Sequence, residues 1–152
     1  MALVAFLGAS LGIEIAQAQT PPLCVPQKPS ASATASATRC VDAEAKAAAR
    51  QAAQEQAIAK LSCPTLSEVQ RRNLCRRAGL APDTASFLQP LTPPIKHFAA
   101  VPTSSGQCIA LRQVALSSVS TSPPPTCIAP PTPIRALATV AATCGVICSR
   151  PR

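Results

Sequence analysis

The chain lacks tryptophan and tyrosine altogether, and of its 152 residues only Phe6, Phe87 and Phe98 are aromatic. Large rings supply much of the apolar area of ordinary cores, so a conventional dense core is excluded over most of the length. Glycine is scarce at five residues, which leaves no glycine-rich loop to cradle a phosphate. His97 is the sole imidazole. That removes the paired-histidine metal sets and leaves general-base catalysis with little to work with. Asn73 is the only asparagine and is followed by Leu-Cys, so there is no N-glycosylation sequon. No apolar run reaches the roughly 20 residues of a membrane-spanning helix.

What is present is small. The hydrophobic fraction is 47%, yet 30 residues are alanine. Alanine buries little area, and burial stabilises by about 25 cal/mol per Å². Eight cysteines compensate: Cys24, Cys40, Cys63, Cys75, Cys108, Cys127, Cys144 and Cys148. An even count reads as a disulfide framework whose pairing spacing alone leaves open. Each bridge contributes about 2–4 kcal/mol, chiefly by restricting the unfolded chain. The absence of an adjacent Cys-Cys pair separates the pattern from plant lipid-transfer proteins and fungal hydrophobins. Only Cys144 and Cys148 are close in sequence. On a helix they would stack one turn apart, which gives an alternative reading as a thiol-redox or metal-binding module.

The N-terminal apolar run ends at Glu14, and Ala16-x-Ala18 has small residues at the spacing signal peptidase uses. Residues 1–18 are therefore expected to be a signal peptide, although no Lys or Arg precedes the apolar run. The expected location is secreted, extracellular or periplasmic. Net charge is +8, rising to +9 when cleavage removes Glu14. Basicity of this size favours an anionic surface as partner.

Residues 19–39, with the run Ser30-Ala-Ser-Ala-Thr-Ala-Ser-Ala-Thr38, read as a low-complexity linker. Residues 40–80 read as a helical hairpin clamped by cysteines. Its first helix spans 41–61, with Val41, Ala45, Ala48 and Ala52 as the buried stripe. Its second spans 66–78, capped by Thr65 or Ser67 and stopped at Gly79. In a straight hairpin Cys40 and Cys75 are too far apart to meet, so Cys40 is expected to pair outside it. The second helix carries Arg71, Arg72, Arg76 and Arg77, candidates for meeting an anionic partner. They are scattered around its circumference, unlike a membrane-active face, and no aromatics interleave to stack on bases, so no specific nucleic-acid binding is expected.

Residues 81–133 read as irregular and rich in Pro, Ser and Thr, and 134–152 as a short apolar tail. Between them, 108–116 fits a short helix or strand. The expected fold class is mainly α: a small disulfide-linked αα-hairpin with a largely irregular C-terminal half. No catalytic motif surrounds His97, and oxidised cysteines are not nucleophiles. The expected function is a non-enzymatic binding or structural role without a cofactor, acting on an anionic surface or another envelope or extracellular protein. Alternatives are a cationic membrane-active or effector protein, the thiol module, and a chain whose part beyond Phe87 is not selected for folding.

Overall fold

The computed structural model describes residues 21–84, 98–121, 127 and 133–151. The expected signal peptide, Phe87, His97 and most of the segment 122–132 lie outside the described residues. In chain order the elements are β1 (Leu23–Arg39), α1 (Asp42–Lys60), α2 (Glu68–Arg77), β2 (Ala81–Pro82), β3 (Phe98–Ser104), β4 (Gln107–Ser120) and β5 (Ile134–Ser149). Among the described residues strand accounts for 51% and helix for 27%, which corrects the expected mainly α class. The strands form one antiparallel half-barrel sheet in the order β1-β5-β4-β3, with β2 pairing to the end of β5.

The expected linker is an edge strand. The run from Ser30 to Thr38 alternates small polar with alanine, the period-two pattern of a half-buried strand. Ala33 and Ala35 are buried, whereas Ser32, Thr34 and Ser36 are exposed. The expected apolar tail is the central strand β5, flanked by β1 from Ser30↔Thr143 to Arg39↔Ile134 and by β4 from Gln107↔Val146 to Ser120↔Ile134. The same alternation operates there: Ala136, Ala138, Val140 and Ala142 are buried, and Leu137 is exposed. Residues 108–116 are strand, and β4 continues through Ser117–Ser120, part of the stretch expected to be irregular.

The helices do not form an αα-hairpin, because each finds its main partner in the sheet. α1 lies on β1, β5 and β4; α2 lies against β2 and β5. The buried stripe of α1 is Ala45, Ala49, Ala53 and Ala57, all at 0% exposure, in place of the expected stripe through Ala48 and Ala52; Val41 is 47% exposed. These alanines pack on Ala33, Ala35, Ala136, Ala138 and Ala142, with Ile109, Leu111 and Val140 filling the remaining space. Alanine on both surfaces lets helix and sheet approach closely, but such a contact removes little apolar area per residue. α2 begins at Ser67 with a reciprocal capping box to Gln70. It ends at Gly79, whose φ of +72° permits the closing turn. Leu66, Leu74 and Leu80 pack around Cys75, Val146 and Cys148, whereas Val69 is 66% exposed.

Candidate functional site: a cavity at the β1 bulge

The eight cysteines form four bridges: Cys24–Cys108, Cys40–Cys127, Cys63–Cys144 and Cys75–Cys148. The pairing follows chain order, first with fifth, second with sixth, third with seventh and fourth with eighth. Every bridge therefore ties the part before Ala81 to the part after Phe98, with sequence separations of 73 to 87. The C-terminal part supplies half of every cross-link together with the centre of the sheet. Cys144 and Cys148 are bonded to different partners, and both are buried. Four disulfides suit an oxidising, extracellular-type environment. No helix among the described residues is long and apolar enough to cross a membrane.

Gly145 is required where two of these features meet. A Cβ there would lie 2.8 Å from Cys24 Sγ, 2.8 Å from the Val25 carbonyl oxygen and 3.1 Å from Cys108 Sγ. Just beyond it, the β1–β5 register shifts between Pro26 and Ser30, so Gln27-Lys28-Pro29 bow out of the ladder. Across the resulting gap runs the α1–α2 connection, which two devices fix. The Cys63–Cys144 bridge ties it to β5. Gln107, 7% exposed, holds it to β4: its Nε2 donates to the Pro64 carbonyl at 2.9 Å, and its Oε1 accepts from the Leu66 amide at 3.1 Å.

Between bulge and connection lies a half-open cavity of about 450 Å³. Pro64, Leu66, Leu74 and the Cys144–Gly145 segment make its apolar lining, with Gln27 and Lys28 at the bulge. Lys28 is exposed and makes no ion pair among the described residues. Among the described residues no carboxylate, histidine or hydroxyl lines the cavity. The arrangement can hold a ligand and offer it one positive charge. Among the described residues no cluster of His, Cys, Asp and Glu could hold a metal ion.

The four candidate arginines are in different situations. Arg71 is half-buried and its guanidinium covers Gly106, whose φ is +76°; a Cβ at that glycine would overlap it. Arg72 pairs with Glu68 one turn earlier at 2.7 Å. Arg76 and Arg77 are exposed in the last turn of α2, at the end of the molecule where β2 pairs with Cys148 and Ser149. Of the four, Arg76 and Arg77 are thus exposed without a salt bridge among the described residues. Sequence reasoning missed Lys28 and Gln107. Nothing in the sequence marks either, since one depends on a register shift and the other on a buried amide between two distant segments.

Elsewhere, Asp42 at the start of α1 is held below the usual carboxylate range. Its hydrogen bond to Lys46 is the main cause, and one to Ser118 of β4 adds to it; Asp42 and Lys46 stand 2.6 Å apart.

No family model matches the chain, and comparison with curated proteins and with solved structures finds no similar protein.

Proposed function

We propose that the chain is an exported, non-enzymatic binding protein in which cross-links take the place of a large-residue core. The observation that carries this reading is the disulfide layout. Four long-range bridges fix a sheet whose helix contacts are mostly alanine on alanine. One of them, Cys63–Cys144, also fixes the wall of a cavity that carries a cation and, among the described residues, no acid, base or nucleophile. Such a site is suited to holding a ligand rather than transforming it. The cysteines need an oxidising compartment to reach this state, and residues 1–18, cleaved after Ala18, would direct the chain there.

Expression of the full chain in a host with an oxidising export compartment tests the reading. The product is compared by intact mass before and after reduction, with thiol alkylation under native conditions. The expected product begins at Gln19, takes up no alkylating reagent until reduced, and takes up eight equivalents afterwards. An uncleaved product with thiols that react in the native state would overturn it.

A further inference from the structure

We propose that the cavity at the β1 bulge takes a small amphipathic anion, a carboxylate carried on an aliphatic chain, with the chain between Leu66 and Leu74 and the head group at Lys28. The proposal rests on the binding-protein reading and deepens it. The volume, about 450 Å³, lies in the range of roughly 300–1,000 Å³ typical of small-molecule sites.

The polarity of the walls selects the ligand. Among the described residues Gln107 is the one buried polar side chain beside the cavity. Its amide is engaged at both ends, on Pro64 and Leu66. A ligand with several polar groups would find few partners inside, and leaving such groups unbonded is costly. An aliphatic chain loses nothing there and gains from leaving water. At the bulge the situation reverses. Lys28 has no acidic partner among the described residues, and the half-buried Gln27 stands beside it on the cavity wall. One ammonium and one amide can both donate to a carboxylate. The walls are also preformed, because the Cys63–Cys144 bridge and Gln107 hold the connection in place before a ligand arrives. Preorganisation lowers the cost of binding.

The test uses the oxidised full-length product and three probes of equal chain length: decanoate, decanol and decyltrimethylammonium, each below its micelle concentration. Displacement of a naphthylamine dye is read by fluorescence, which the chain does not obscure because it has no tryptophan or tyrosine. Decanoate is expected to displace the dye best and decyltrimethylammonium worst. Lys28→Glu is expected to weaken decanoate by about fivefold or more, the scale of one exposed ion pair lost and one repulsion gained, and to strengthen the ammonium probe. Arg39→Glu, at the other end of β1, should change neither by more than the shift in overall charge requires. Leu74→Phe should narrow the cavity and reduce displacement by all three probes, with circular dichroism and the oxidised mass showing that the variant has folded. Equal binding of decanoate and the ammonium probe, or a Lys28→Glu variant with unaltered preference, would overturn the proposal. So would a correctly cross-linked protein that binds none of the probes, and that result would leave the binding-protein reading standing.

Discussion

Removing the Cys63–Cys144 bridge by replacing both residues with alanine should destabilise the protein by about 3 kcal/mol, the loop-closure entropy of a ring of roughly 15 residues. The ring is this short because Cys75–Cys148 lies alongside it. From Cys63 the chain runs 12 residues to Cys75, crosses that bridge, and returns 4 residues from Cys148 to Cys144. The same ring governs Cys75–Cys148, so its removal alone should also cost about 3 kcal/mol. Once either is gone, the other closes a longer path through Cys40–Cys127, and its removal then costs about 4 kcal/mol. The two deletions should therefore be coupled, with the double loss exceeding the sum of the single losses by about 1 kcal/mol. Alanine is preferred to serine because Cys75 and Cys148 are 0% exposed, and an unpartnered hydroxyl there would add about 1–3 kcal/mol. Urea unfolding followed by far-ultraviolet circular dichroism measures all three variants, and in a thermal scan each single deletion should lower Tm by roughly 10 °C. Additivity of the two deletions to within about 0.3 kcal/mol would refute the reasoning.

Other expectations follow from single residues. Gly145→Ala should destabilise by about 1–3 kcal/mol through overpacking, since the new methyl meets Cys24 Sγ and the Val25 carbonyl; a neutral result in the same unfolding assay would contradict the packing described. Gln107→Ala strands the Leu66 amide and the Pro64 carbonyl, a loss of about 1–3 kcal/mol, and should speed hydrogen exchange at Leu66 relative to the β5 amides. Asp42 has a depressed folded-state pKa. Its contribution is therefore present above the unfolded-state carboxylate value and is lost as pH falls through the lower folded-state value. Lys46→Ala removes the main cause, so the Asp42 carboxyl should titrate at higher pH by carbon-13 NMR; an unmoved titration curve would show that Lys46 is not responsible.

The sequence carried more of the fold than composition alone conveyed. Ser67 and Gly79 mark the ends of α2 through local chemistry, a capping hydroxyl and a positive φ, and such signals need no tertiary partner. The strands were harder to see because their inward residues are alanine. The alternation in Ser30–Thr38 is strict, but alanine and serine are weak strand formers, so the run resembles a flexible tract until a helix of matching alanines covers it. In α1 the phase of the stripe is ambiguous for the same reason: with alanine at 45, 47, 48, 49, 52, 53 and 57, nothing local chooses Ala49 and Ala53 over Ala48 and Ala52. The strand β5 reads as an isolated apolar tail because β1 lies far away in sequence and the proline-rich segment 121–133 separates it from β4. The candidate cavity was not legible at all, since it exists where β1 leaves register with β5.

The cysteine map tests the account most directly. Trypsin places Cys24, Cys40, Cys63, Cys75, Cys108 and Cys127 on separate peptides and leaves Cys144 and Cys148 together on the one beginning at Ala136. A non-reducing digest of the exported protein, read by mass spectrometry, should show the Cys24 peptide joined to that of Cys108 and the Cys40 peptide to that of Cys127. The Cys63 and Cys75 peptides should both be joined to the peptide beginning at Ala136, with fragmentation placing Cys63 on Cys144 and Cys75 on Cys148. A bridge between Cys40 and Cys63, or between Cys144 and Cys148, would contradict the sheet-spanning framework on which the fold and its cavity depend.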